Sequence, residues 1–322
     1  MKAVVARELS GPSGLVYTDV DDIDDAVDGM VVIDVRAAGV NFPDLLLTRG
    51  EYQLKLAPPF VLGMEVAGVV RSVPEDSRLR PGDHVGAFTM MGGYAERVAV
   101  APENVVPTAA GLDDAQAAAL LGNYYTMYFA LARRGALRPD ETVLVLGSAG
   151  GIGTAAVQIA KALGARVIAG VHREKAFDFV SSLGADAVIR LTDGWLDVVR
   201  ELTDGNGVDL VVDPVGGELF DDAIRALATE GRLLVLGFAA GGIPTVKVNR
   251  LLLRNVAVIG VGWGEFLSRN PGAQSLFGSG VAQLVEAGLK PPSPQRYPLS
   301  QAGAALDLLA SGGVFGKLVL EP

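Results

Sequence analysis

The sequence predicts an α/β protein in which a doubly wound parallel sheet is joined to a strand-rich domain whose sheet is partly closed and mostly antiparallel. Three observations carry this. Residues 1 to about 112 alternate short apolar runs such as VVIDV, VAGVV and RVAV with turn signals at Gly11-Pro12, Pro58-Pro59 and Pro81-Gly82. From 142 the pattern changes to strand, helix, strand, and then to further apolar strands, the mark of a parallel sheet. The tail mixes helical stretches with a final strand, GKLVLEP, and is expected to rejoin the first domain. Domains are accordingly placed at 1–115, 116–255 and 256–322, the last a return segment completing the first.

In chain order, the first marked stretch is DVDDIDDAVDG, with six Asp between 19 and 28. It lacks the glycine and terminal glutamate of a calcium loop at matching positions, so a solvated acidic loop is expected. Asp113 is a plausible N-cap for DDAQAAALLGNYYTMYFALARRG, read as one long helix ending before Gly135. Strands follow at 142–147, 166–171, 208–213, 232–237 and 255–261, with a helix at 151–163. QSLFGSGVAQLVEAG and QAGAALDLLAS read as helices in the tail.

A chain of 322 residues, 50% hydrophobic, can bury a sizeable core, and its size favours two domains over one. Lys and Arg total 27 against 37 for Asp and Glu, with no basic tract, which argues against nucleic-acid and anionic-membrane partners. With no cysteine, disulfides, thiolate catalysis and Cys-ligated zinc are excluded. MKAVVARELSG reaches Arg7 and Glu8 before a signal-peptide apolar stretch can form, so a cytoplasmic protein is expected. The most apolar region, 143–171, is broken by six glycines, Lys161 and Arg166, and reads as a buried segment rather than a membrane span.

The densest signal is Gly147-Ser148-Ala149-Gly150-Gly151-Ile152-Gly153, between the strand VLVL and the helix TAAVQIAKAL. Glycines here permit a tight strand-to-helix turn and let a diphosphate approach backbone N–H groups at a helix N-terminus. A turn tight only for steric reasons is the competing reading. The second strand then ends in Gly170-Val171-His172-Arg173, with Lys175 beyond. An acid at that tip would accept hydrogen bonds from adenosine ribose hydroxyls and repel a 2′-phosphate. None is there, so Arg173 and Lys175 favour NADPH over NADH, against the alternative of a solvated positive loop.

Several spaced motifs then bring the chain to resemble the medium-chain dehydrogenase/reductase superfamily, and within it the zinc-independent NADPH:quinone oxidoreductase group. They are AAGVNFPDLLLTRGEY, PFVLGMEVAGVV, RPGDHVGAF, the helix with GNYYT, GSAGGIGTAAVQIAKALGA, VVDPVGG, GRLLVLGFAAG and GKLVL, in order over nearly the whole chain. The resemblance implies a Rossmann dinucleotide-binding domain, a GroES-like catalytic domain and a nicotinamide held in the cleft between them. It places Asn41 and Thr126 on the nicotinamide, and Phe238 in the loop that passes beside it. The alternatives are a turn-capping Asn and a helix Thr bonding its own backbone. Tyr52 takes the position of a cleft tyrosine, with the readings of proton donor, stacking wall for a flat ring and plain core aromatic all open. Asp44 and Glu65 are expected to be structural hydrogen-bonding partners and His84 a turn residue. Trp263 is left between the substrate and a subunit contact.

Zinc-dependent members place Cys, His and a third ligand where this sequence has Asn41, Met64 and Asn123, which are no zinc ligand set. The resemblance therefore implies hydride transfer to an acceptor that needs no Lewis acid: a quinone, or an enone or enoyl thioester. The family's tyrosine near the adenosine phosphate is replaced by Leu191, beside Arg190. A redox sensor or structural protein that binds NADPH with little turnover is the alternative. NVAVIGV, an apolar edge strand, is expected to pair across a two-fold axis into a homodimer.

Overall fold

Burial along Val31–Val40 explains the first sheet: its apolar side chains are covered on both faces, with runs of buried residues at 31–33 and 37–40, while Asp34 and Arg36 stay at or near the surface. The computed structural model describes residues 1–25 and 27–322; Ala26, inside the acidic stretch expected to be a solvated loop, lies outside the described residues. The chain divides into two compact units, one of Met1–Tyr125 with Asn270–Pro322 and one of Thr126–Arg269.

In the first unit a seven-stranded sheet runs in the order Gln295–Pro298, Leu318–Glu321, Val31–Val40, Glu65–Ser72, His84–Phe88 and Val105–Pro107, with Arg97–Val100 also paired to Val31–Val40. All pairings are antiparallel except the one between Gln295–Pro298 and Leu318–Glu321. Two registers matter later. Leu318 faces Val40, and Val66 faces Ala38, so residues 317, 41 and 65 come together where the three strands end or begin. A second, three-stranded antiparallel sheet joins Leu15–Asp19, Lys2–Ala6 and Phe60–Val61. Tyr94, Ile33, Leu45 and Leu62 are among the large side chains closed off in this unit's core.

The second unit is the expected parallel sheet, ordered Ala187–Arg190, Arg166–Val171, Thr142–Val145, Val208–Asp213, Leu227–Val235 and Ala257–Gly260. Its central strands are buried on both faces, which is why they read as unbroken apolar runs in the sequence. Ala257–Gly260 hydrogen-bonds to Leu227–Val235, so 257–269 packs with this sheet, and the segment grouped with the first unit starts at Asn270.

Asp113 does begin the expected helix, its carboxylate accepting the Gln116 N–H at 2.7 Å. The helix is α from Asp114 to Leu120 but π-wound over Leu121–Tyr125 and Phe129–Arg134. Among the described residues no helix is long and apolar enough to cross a membrane.

Candidate functional site

In the first unit the strand registers deliver a polar cluster into an otherwise apolar interior. Glu65, fully buried, accepts from three donors: Lys317 Nζ at 2.5 Å, Asn41 Nδ2 at 2.8 Å and the backbone N–H of Gly122. Lys317 also donates to Asn41 Oδ1 at 2.5 Å. Gly39 is required opposite Glu65, because a Cβ there would lie 2.2 Å from the carboxylate oxygen. Glu65 is thus the structural partner expected from sequence. The Gly122 N–H given to Glu65 lies within the π-wound stretch 121–125, so this irregular turn of the helix reaches an acceptor on the sheet.

Asn41 stands just before the helix Phe42–Thr48, where its backbone N–H donates to Asp44 Oδ2 at 2.9 Å. Its side chain turns to Glu65 and Lys317, so a turn role does not exhaust it. Asp44 is wholly buried, accepts from the Tyr94 hydroxyl at 3.1 Å, and keeps one carboxylate oxygen without a partner. Burial pushes its carboxyl up to about 7, against the opposing pull of the Asn41 N–H, Lys317 and Tyr94. A raised carboxyl favours the protonated folded state, so its contribution is fully present below about pH 4 and is lost as pH rises through about 7. At about 1.4 kcal/mol per unit this amounts to roughly 4 kcal/mol. Asp44→Asn, whose side-chain oxygen still accepts both bonds, is expected to flatten that slope in urea midpoints taken at pH 4.5, 6 and 8. A slope unchanged from wild type would contradict the assignment.

Tyr52 follows that helix, half-buried against the same core, and burial raises its phenol above the usual range. It is neither sealed in the interior like Tyr94 nor solvated. His84 opens the strand His84–Phe88 rather than sitting in a turn, with Nδ1 2.9 Å from Asp114 Oδ1 on a largely exposed side chain.

In the second unit the glycine turn is built by close approach. Gly147 has φ +62°, a conformation that favours glycine, and a Cβ on Gly153 would lie 2.2 Å from Gly147 O and 2.5 Å from Ser148 Cα. The helix Gly151–Ala162 can therefore start directly against the strand only with glycine at 153. Gly150 is the opposite case: its own N–H donates to Gly147 O at 3.1 Å, but a Cβ on it would meet nothing nearer than that oxygen at 3.7 Å, leaving the space beside the helix start open to an incoming group. Ser148 is fully buried, with its N–H on Gly170 O at 3.0 Å and its hydroxyl on Val145 O at 2.8 Å, so it ties the turn together. The N–H groups of Gly151, Ile152 and Gly153 precede any intrahelical acceptor, and Ala149 lies just before them. Open space beside a glycine at a helix N-terminus fits a dinucleotide's diphosphate.

At the far end of the second strand, Val171 pairs with Arg190, which brings Arg190 beside the turn that carries Arg173 and Lys175. Leu191 is buried against Gly170, and Arg190 reaches Glu174 only at 3.8 Å on the surface. Arg190 is thus a third cation at this tip, where the sequence alone marks it only as a neighbour of Leu191. Phe238 lies over Gly216, whose Cβ would sit 3.1 Å from its ring. That loop is held by buried Asp213, which accepts the N–H groups of Val215 at 2.9 Å and Gly216 at 2.8 Å, and Val215 in turn packs on Gly147. VVDPVGG was visible as a motif, but its role as a prop between the glycine turn and Phe238 was not. Thr126 lies half-buried in the helical run. Trp263, buried, packs at a tilt 5.4 Å from Phe129 and stacks 6.1 Å from Phe266, and so belongs to an aromatic cluster of the second unit.

Comparisons with known proteins agree with this architecture. Residues 27–113 match the family model of the alcohol dehydrogenase GroES-like domain, and 151–277 that of zinc-binding dehydrogenases. A quinone oxidoreductase-like protein 2 from Bos taurus is 34% identical over 295 residues, covering 90% of this chain and 84% of its own length. A probable oxidoreductase from Mycobacterium abscessus is similar in structure, with a TM-score of 0.93 and 59% identity over 100% of this chain and 99% of its own. The quinone oxidoreductase from Thermus thermophilus, whose structure was also solved in complex with NADPH, gives 0.83 and 36% over 100% of both chains. Despite the second family model's description, the described residues contain no group of three His, Cys, Asp or Glu that could hold a metal ion.

Proposed function

The chain belongs to the medium-chain dehydrogenase/reductase superfamily, in its zinc-independent quinone oxidoreductase group, and from that premise we propose that it is an NADPH-dependent reductase of quinones or of enones and enoyl thioesters. The observation that carries this is the glycine turn, in which Gly153 is clamped against Gly147 and Ser148 while the space beside Gly150 stays open. Ser148 to Gly153 would line the diphosphate, Ser148 by holding the turn since its N–H and hydroxyl are given to Gly170 O and Val145 O, and Arg173 and Lys175, with Arg190, would meet the 2′-phosphate. Asn41, Thr126 and Phe238 would meet the nicotinamide half. Bound NADPH supplies a hydride from its nicotinamide C4.

The residues of the chain decide which acceptor is served. Asn41, Met64 and Asn123 offer no zinc site to polarise a ketone or aldehyde, which leaves acceptors already activated by conjugation. The Tyr52 phenol, which burial raises above its already high ordinary value, is protonated at neutral pH and can donate to an oxygen on which charge develops. The first test is the loss of NADPH absorbance, with NADH as control, against a benzoquinone, a naphthoquinone, a simple enone and crotonyl thioester, chelator present throughout. Turnover with NADPH that survives chelation is expected, with Tyr52→Phe slowed on the preferred acceptor by about 10²-fold or more. Tight NADPH binding with no turnover on any acceptor would favour the sensor or structural role instead, and a preference for NADH would contradict the part given to Arg173 and Lys175.

The cytoplasmic reading rests on the sequence alone, and the homodimer on the sequence and on the second unit's apolar surface. That unit has an edge strand, Ala257–Gly260, and exposes Ile243, Val248, Leu252 and Leu253, each by more than 70%. An apolar edge of this kind is an aggregation hazard unless another strand covers it. Light scattering is expected to give about twice the 33.4 kDa chain mass, and a mass near one chain would contradict pairing.

A further inference from the structure

We propose that Lys317 is a positioning residue, which with Glu65 locks the Asn41 amide so that Asn41 can act only as an acceptor toward the nicotinamide half of the cofactor. The proposal rests on the NADPH reading above. An asparagine side chain normally has two orientations of similar shape. Here only one is tolerated: Lys317 has donors alone and faces Oδ1, while the Glu65 carboxylate has acceptors alone and faces Nδ2. The second Nδ2 hydrogen points to Gly39 O at 3.4 Å, so both amide donors are directed into the protein. One lone pair of Oδ1 is left, on a side chain that is only partly buried. The group it selects is a donor such as a carboxamide N–H or a ribose hydroxyl. A flipped amide would present N–H there and set Oδ1 against the carboxylate.

Lys317 reaches this place because Leu318 faces Val40 across the sheet, and its ammonium is nearly covered, with 9% of the side chain exposed. Lys317 also balances the charge of buried Glu65, so a lost lysine could act through the fold alone. The test separates the two roles with a pair of ligands. NADPH and 2′,5′-ADP, which lacks the nicotinamide half, are titrated calorimetrically into wild type, Lys317→Met, Asn41→Ala and the Lys317→Met/Asn41→Ala double variant.

Lys317→Met is expected to weaken NADPH about tenfold while leaving 2′,5′-ADP within about twofold, and the double variant to bind NADPH no more weakly than Asn41→Ala alone. If Lys317→Met fails to fold, Glu65→Gln/Lys317→Met removes both charges together and carries the same expectation. Equal weakening of both ligands, unchanged NADPH binding, or effects of Lys317→Met and Asn41→Ala that add would overturn the positioning role. Wild type that binds 2′,5′-ADP but not NADPH, or neither, would remove the cofactor reading and this proposal with it, an outcome visible before any variant is compared.

Discussion

Gly153→Ala is expected to cost more stability than any other single methyl group added to the glycine turn, and to abolish measurable NADPH binding with it. The new Cβ would sit 2.2 Å from Gly147 O, 2.5 Å from Ser148 Cα and 2.8 Å from Gly147 C, all of them backbone atoms. None can swing aside as a flexible side chain could. The turn cannot retreat either, since Ser148 is fastened to Gly170 O and Val145 O, and through them to two strands of the sheet. Relief must come from the helix Gly151–Ala162 moving off the sheet. Overpacking of a rigid core commonly costs about 1–3 kcal/mol, and a backbone-to-backbone clash should lie at or above the upper end. The same displacement carries the helix's leading N–H groups away from the diphosphate. Gly150→Ala is the control: φ −79° suits any residue and the space is open, so its melting temperature should stay within about 2 °C of wild type. Its NADPH affinity should nevertheless fall, because the methyl occupies the approach. Melting curves together with NADPH fluorescence titrations decide the matter, and a Gly153→Ala protein with native values in both would refute the clamped-turn account.

What could be read from the sequence, and what could not, follows from where each residue's partners lie. The parallel strands were readable because burial on both faces leaves runs such as LVV and VLVL, and the glycine turn because its spacing is local. The π-winding of Leu121–Tyr125 was not: within it Gly122 gives its N–H to Glu65, 57 residues away. Helical periodicity carries no trace of such a partner. Asn41 and Glu65 could be singled out by motif, but their juncture with Lys317 depends on a strand register that joins positions 276 residues apart. The lysine of GKLVL reads in sequence as an ordinary flank of a final strand. A charged residue next to a buried strand was the available signal, and by itself it says only that a counter-ion must exist. Arg190 is not legible as part of this cationic tip for a related reason: it joins Arg173 and Lys175 by pairing of adjacent strands, not by position along the chain.

Arg232→Met is expected to be the most damaging side-chain substitution in the second unit outside the turn, by about 4 kcal/mol. Arg232 donates to both oxygens of Glu141, at 2.6 and 3.0 Å, and to the carbonyls of Gly135 at 2.8 Å and Asp209 at 3.0 Å. One guanidinium thus closes the end of the long helix, the start of Thr142–Val145 and the strand Val208–Asp213 onto its own strand. Burial alone would raise the Glu141 carboxyl, but the bonds from Arg232 and Arg138 outweigh it and hold it at about 2. That stabilisation is present above about pH 4.5 and is lost as pH falls through about 2, so it operates in full at neutral pH. Methionine leaves the carboxylate with only the exposed Arg138 and leaves the carbonyls of Gly135, Ala136 and Asp209 without this donor. Glu141→Gln should cost about half as much, because the amide oxygen still accepts and Arg232 keeps its carbonyls. Arg232→Lys should behave like methionine rather than like wild type, since an ammonium cannot span a forked carboxylate and two diverging carbonyls. Hydrogen exchange over 142–145 and 208–213 reads the effect locally. Full protection in Arg232→Lys would mean that charge alone, and not the planar fork, holds the strands together.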